Sequence, residues 1–236
     1  HNGLLTMSSG KKMGKSLGNV INVRDALQRF PAEALRLYYL QNHYRSALPW
    51  GEEALPEALA MLARLYEARE NAESMGGHEH PDDAAKALGS DAKAVLDLGR
   101  AFTERFHASC DNDFNTAQAL GQLMELARAV NRLANHKKAK KRGGPVVAGA
   151  LRAFALVAKA LGFMQMTTAA FEADVKDKRL SDMGLDSGAI QELIDARGQA
   201  RSDKDWAAAD LIRDKLDAMS IAVMDRPDGV TWKVRL

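Results

Sequence analysis

From Val23 onward the apolar positions recur at helical spacing, and this periodicity divides the chain into elements. Val23, Ala26, Leu27 and Phe30 share one helix face, and Pro31 opens a second helix carrying Ala34, Leu35, Tyr38, Tyr39 and Leu40. A long amphipathic helix is predicted over 52–72, with Leu55, Leu59, Leu62 and Tyr66 on its face and Gly76-Gly77 ending it. Further helices are predicted over 90–108, from an Asn115-Thr116 cap to about Asn135, and from Pro145 through Leu161. A basic loop, 136–144, separates the last two. Short connections between these helices imply an antiparallel bundle over 52–165. The stretch 166–186 is polar and contains glycine, and it is expected to be a linker.

The two ends differ from this middle. Residues 1–23 alternate in short extended pieces, with a strand expected at Gly3–Met7. At the other end, Ile190, Leu193, Ile194 and Arg197 mark one helix, and Asp205 caps a second beginning at Trp206. Ile221–Met224 and Thr231–Arg235 flank Pro227-Asp228-Gly229, which predicts a β-hairpin. The fold class is therefore mainly α: a helical bundle, a loop-rich segment before it (1–51), and a small α/β module after it (187–236).

Composition narrows this only slightly. The 236 residues carry a net charge of +2, so any nucleic-acid surface must come from local clustering. A lone cysteine, Cys110, rules out a disulfide within the chain and fits a reducing, cytoplasmic setting. It falls in apolar register with Phe102 and Phe106, as a small core residue would. The six histidines show no ligand spacing, so no metal site is expected. No apolar run approaches about 20 residues, and no membrane span is expected. The chain opens on His1, in the middle of an expected strand, as a segment of a longer protein would.

Candidate chemistry sits in three places. The first is Gly10-Lys11-Lys12-Met13-Gly14-Lys15-Ser16-Leu17-Gly18-Asn19, a glycine-flanked loop whose lysines suit the transient charge of a phosphate in transfer. A P-loop would need a glycine where Ser9 stands, and a helix where Gly18, Asn19 and Asn22 follow. The second is the C-terminal face made by Trp206 and Asp210, four residues apart on one helix, with Arg201 before them and Asp225 on the hairpin. An indole can stack an unpaired base, and carboxylates accept hydrogen bonds from the amino groups of cytosine and guanine. The same residues also fit a core tryptophan beside a surface Arg201–Asp210 ion pair. Trp232, on the returning strand, is expected to pack against the helices. The third comprises Lys137-Lys138-Ala139-Lys140-Lys141-Arg142, expected to be a solvated run, and the aromatic and basic loop His43–Trp50.

The lysine loop resembles the K-M-S-K-S loop of class I aminoacyl-tRNA synthetases, with Gly14 in place of a serine. Three stretches in order resemble cysteinyl-tRNA synthetases. They are Lys12–Asn19 with Val23-Arg24-Asp25-Ala26-Leu27; Leu35-Arg36-Leu37-Tyr38 with His43-Tyr44-Arg45-Ser46 and, further on, Asp113–Leu120; and Ala200–Asp210 with Ile212-Arg213-Asp214 and Asp225–Trp232. The resemblance implies a C-terminal part of such an enzyme: lysine loop and stem-contact region (1–51), bundle (52–165), and anticodon-binding module (187–236). It implies that Lys15 steadies charge on ATP with Lys12 in support, and that Arg201, Trp206, Asp210 and Asp225 read the anticodon G-C-A. Met13 would anchor the loop by packing, and the His43–Trp50 loop would touch the inner corner of the tRNA. Cysteine, ATP and the tRNA for cysteine are the implied substrates, and a monomer is expected. The family's H-I-G-H motif and zinc site would lie upstream, with no zinc ligands in this segment, so the segment alone is expected to be inactive. A free-standing tRNA-binding module, or a relative joining cysteine to a small amine, are the alternatives.

Overall fold

The computed structural model describes residues 3, 5–7, 22–51, 53–226 and 229–235. Lys12, Met13 and Lys15 lie outside these residues. The described elements are β1 (Leu5–Met7), α1 (Val23–Arg29), α2 (Ala32–Leu40), β2 (Leu48–Trp50), α3 (Ala54–Glu73), α4 (Pro81–Leu88), α5 (Ser90–Asp111), α6 (Thr116–Ala134), α7 (Ala139–Arg142), α8 (Gly144–Leu161), α9 (Thr168–Met183), α10 (Ser187–Ser202), α11 (Trp206–Ala218), β3 (Ile221–Arg226) and β4 (Gly229–Val234). The mainly α architecture is as expected. Two compact units emerge, one built on Ala32–Thr168 and the other on Val23–Pro31 with Ala169–Leu236.

The first unit is the bundle. Its core takes Leu55, Leu59 and Leu62 from α3, Phe102 and Phe106 from α5, Leu123 and Leu126 from α6, and Phe154 and Val157 from α8. Asn115 caps α6 as its sequence implies, accepting the Gln118 N–H at 3.0 Å. Helices α5 and α8 cross where Gly99 meets Gly149, and a Cβ on Gly149 would lie 2.9 Å from the Gly99 carbonyl carbon. Glycine at both positions lets the two backbones touch. Helix α8 is long and apolar enough to cross a membrane by length and composition, but its apolar side, including Val146, Val147 and Phe154, is buried in this core. Cys110 is partly buried, which raises its thiol pKa, and this suits a packing role better than a reactive one.

Three elements depart from the sequence reading. Helix α4 occupies a stretch to which the sequence pattern assigns no element, started by Pro81 and burying Ala84, Ala85 and Leu88. Residues Leu48–Trp50 form a strand that pairs in parallel with β1, Leu5 opposite Leu48, within what looked like loop. The expected linker at 166–186 instead contains α9, which buries Phe171, Val175 and Leu180. These apolar positions are sparse among charged residues, so the periodicity is faint.

A buried polar knot holds one corner of the bundle. Glu33 on α2 is buried, and its carboxylate accepts the Tyr66 hydroxyl at 2.7 Å, the Met164 N–H at 3.0 Å and the Gln165 N–H at 2.8 Å. Arg69, one turn after Tyr66, donates to the carbonyls of Met164 and Met166 at 2.9 and 2.6 Å. The segment after α8 is thereby clamped to α2 and α3. Burial and the Glu33 carboxylate raise the Tyr66 pKa, so its proton stays on the phenol and points at the carboxylate. Removing the acceptor strands three donors, two of them buried. Glu33→Ala should cost about 3–5 kcal/mol and Tyr66→Phe about 1–2 kcal/mol in urea unfolding followed by circular dichroism; equal, negligible losses would contradict the knot.

Candidate nucleic-acid interface

The C-terminal unit has its own core. Leu180 of α9, Ile190 and Ile194 of α10, Leu216 of α11, Ile221 of β3 and Val234 of β4 form one buried cluster. The hairpin is antiparallel, with Ile221 opposite Val234 and Arg226 opposite Gly229. Trp232 packs half-buried against this cluster, as expected, and its indole N–H donates to Gln191 at 3.2 Å. The Lys176 ammonium sits 3.5 Å from its ring centroid.

Helices α10 and α11 meet at a tight turn. Lys204 takes a left-handed conformation (φ 62°), and the Asp205 N–H donates to Ala200 O at 2.8 Å. Asp205 then caps α11, accepting the Ala208 N–H at 3.0 Å. This turn sets Arg201, in the last turn of α10, and Trp206, the first residue of α11, on either side of it. Trp206 is 60% exposed, which removes the core-anchor alternative. Asp210, one turn on, is exposed and paired with Arg213 at 3.0 Å. Asp225 stands on β3 opposite Val230; its side chain lies outside the described residues. Leu211 is 71% exposed beside Asp210, although the sequence reading passed over it. Its signal was an apolar residue off the face defined by Ala209, Ile212 and Leu216, which turn toward the core.

The aromatic loop after α2 turns inward onto one carboxylate. Arg45 Nε donates to Asp113 at 2.7 Å, and the Tyr44 hydroxyl donates to it at 2.7 Å. His43 stacks on Tyr44 with ring centroids 5.0 Å apart, and the Arg45 guanidinium lies 5.1 Å from the Tyr44 ring. Asp113 and Phe114 both adopt left-handed backbone, and Phe114 is 72% exposed. The hydrogen bonds from Arg45 and then Tyr44 lower the Asp113 pKa to about 2.

The lysine run 137–142 also differs from a free, solvated loop. Ala139 is buried, the Gly76 N–H donates to Lys140 O at 2.8 Å, and Arg142 Nε donates to Glu79 at 2.7 Å. Lys137, Lys138, Lys140 and Lys141 remain exposed around that anchored turn.

Comparison with known families fits this geometry in chain order. Residues 1–60 match the class I (C) tRNA synthetase catalytic domain, and 105–165 match the DALR domain. Residues 184–232, which hold the Trp206 face, match the cysteinyl-tRNA ligase anticodon binding domain. These matches place the chain among the class I tRNA synthetases. Among curated proteins, the cysteine–tRNA ligase of Anaeromyxobacter sp. (strain K) is 38% identical across 99% of this chain and 46% of its own length. That of Geobacter sulfurreducens is 35% identical across 100% and 47%, and that of Thermodesulfovibrio yellowstonii 34% across 100% and 47%. The chain belongs to the cysteine–tRNA ligase family and corresponds to the C-terminal portion of these relatives; it spans about half their length. Among solved structures, a LeuRS–tRNA–LeuAMS ternary complex from Agrobacterium radiobacter K84 is 24% identical with a TM-score of 0.49, over 72% of this chain and 23% of its own.

The Asp113 cluster has a direct test. Because the folded pKa is depressed, the cluster stabilises the fold above the unfolded value of about 3.9, and loses that contribution as pH falls toward 2. Carbon-detected NMR titration should place the Asp113 midpoint at about 2, and Arg45→Met should move it up toward the ordinary range. An unmoved midpoint would show that the pairing is not made in solution.

Proposed function

We propose that this chain is the tRNA-reading part of an ATP-dependent cysteine–tRNA ligase, and that α10, α11 and the hairpin recognise the anticodon. The observation that carries the reading is the exposed indole of Trp206, fixed at the start of a capped helix within the segment that matches an anticodon-binding domain. Tryptophan is seldom left in water without a partner to cover it. An exposed ring beside carboxylates suits unstacked bases and does not suit phosphates, which acids repel. Trp206 would supply the stacking surface, Asp210 and Asp225 the hydrogen-bond acceptors, and Arg201 the donors.

The rise per residue supports Asp225 as a member of the set. Helix α11 and strand β3 are in contact and are joined by two residues, Met219 and Ser220. At about 1.5 Å per helical residue and about 3.3 Å per strand residue, four steps up β3 from Ile221 match nearly nine steps back along α11. Counted from Ala218, that reaches the level of Ala209, next to Asp210, in the half of α11 that begins at Trp206.

In the intact protein, Lys15 would steady the negative charge that builds on the ATP α-phosphate as the cysteine carboxylate attacks it, with Lys12 adding to the field. Both fall within the match to the catalytic domain. Cysteine activation also needs the H-I-G-H motif and a zinc site, and these 236 residues contain no such motif. The chain alone should therefore give no cysteine-dependent ATP–pyrophosphate exchange; robust exchange would show a complete active site within it.

Anticodon recognition makes a quantitative prediction. Losing a base-stacking aromatic costs about 1–3 kcal/mol, so Trp206→Ala should weaken binding of the cysteine tRNA by about 5- to 150-fold. Trp206→Phe should recover part of this, and Asp210→Ala should narrow the preference for G-C-A over a changed anticodon. Filter binding with transcript tRNA measures all three, and equal affinity of wild type and Trp206→Ala would defeat the assignment.

A further inference from the structure

We infer that the groove between α3 and α6 is a phosphate-binding site that grips the RNA backbone through Arg64 and Arg128. The proposal rests on the tRNA-binding reading above but concerns the other unit and a different chemistry. The groove is an open depression of about 310 Å³. Its apolar floor is Met124 and Ala127, both buried, and its walls carry Arg64 from α3 and Arg128 and Arg132 from α6.

Four arginines elsewhere in this unit are matched to acids, although Arg36 and Arg152 meet no described carboxylate. Arg45 meets Asp113, Arg100 meets Asp82, Arg105 meets Glu125 and Arg142 meets Glu79, all within 3.2 Å. In the groove this pattern fails. Arg132 has only a long contact with Asp91, at 3.7 Å, and no described carboxylate pairs with Arg64 or Arg128. Arg128 and Arg132 are four residues apart on α6, a spacing at which like charges repel along a helix. Glu67 comes near, but its carboxylate takes the Asn131 amide at 3.4 Å. Three guanidiniums thus converge on one concavity with their charge largely unmet.

The polar groups between them are already aimed. Asn131 accepts from Asn71 at 3.0 Å, which fixes its carboxamide across the groove, and Asn135 donates to Asn131 O at 3.2 Å, leaving its amide oxygen as an acceptor. A phosphodiester supplies what the groove lacks: one negative charge and two oxygens for planar guanidinium forks, with a ribose hydroxyl for the Asn135 oxygen. Directly after Asn135 the chain continues into exposed Lys137 and Lys138, which extend the positive surface from the groove along a polynucleotide. The groove presents guanidiniums, and Glu67 is engaged by Asn131, so the contact is with the backbone and is independent of sequence.

The test is tRNA affinity across a potassium chloride series, using the whole 236-residue chain. Arg64→Gln and Arg128→Gln should each weaken binding by about 3- to 10-fold, equally for the cysteine tRNA and for one with a changed anticodon. The double variant should flatten the slope of log affinity against log salt by about two, whereas Arg64→Lys with Arg128→Lys should keep the slope. Melting temperatures within a few degrees of wild type confirm that the variants fold. If the double variant binds with unchanged affinity and slope while Trp206→Ala still loses affinity, the groove assignment is wrong and the anticodon reading stands. If wild type binds no tRNA, both fail. Titration with 5′-AMP separates the remaining source of phosphate: saturable AMP binding abolished by the double variant, with tRNA affinity unaffected, would make this a small-nucleotide site and overturn the RNA proposal.

Discussion

A carboxylate sealed inside a helical bundle must find hydrogen-bond donors, and Glu33 finds three. Desolvating that charge is costly, so the geometry around it is narrowly fixed. The requirement joins α2, α3 and the chain after α8 at one point, with Arg69 holding the neighbouring carbonyls. A second constraint, the backbone contact of Gly99 with Gly149, sets how closely α5 and α8 approach. Between them these features make the first unit a rigid frame. Against it, side chains left in water acquire meaning, because the frame could have covered them.

The exposed features divide by chemistry. On the α11 face of the C-terminal unit, the solvent-facing groups include an indole, an apolar Leu211 and the Asp210 carboxylate, which suit the faces and edges of bases. At the α3–α6 groove they are guanidiniums, with exposed lysines following Asn135, which suit phosphates.

Much of this was legible in the residues. The bundle helices follow from apolar spacing, and the Asn115 and Asp205 caps were placed correctly because capping is a local interaction. The hairpin was readable from its turn residues, and the packing of Trp232 from the alternation of its strand. What escaped notice depends on distant partners. Glu33 looks like an ordinary helix-surface acid until Tyr66 and Met164 are brought to it. Strand Leu48–Trp50 exists through pairing with Leu5–Met7. Helix α9 hides three core residues among charges. Arg64 and Arg128 stand far apart in sequence, and only the packing of α3 on α6 reveals a shared groove. The exposure of Trp206 could not be read from spacing, which fits a buried indole equally well.

The central claim is that Trp206 lies open in order to receive an unstacked base. The three tryptophans give separable indole N–H signals in proton–nitrogen NMR, with Trp206→Phe assigning the peak. Titrating a short anticodon stem–loop bearing G-C-A should shift the Trp206 signal strongly, leave those of Trp50 and Trp232 nearly fixed, and lose most of its effect when the three bases are changed. A stem–loop that binds without moving the Trp206 signal would contradict the account.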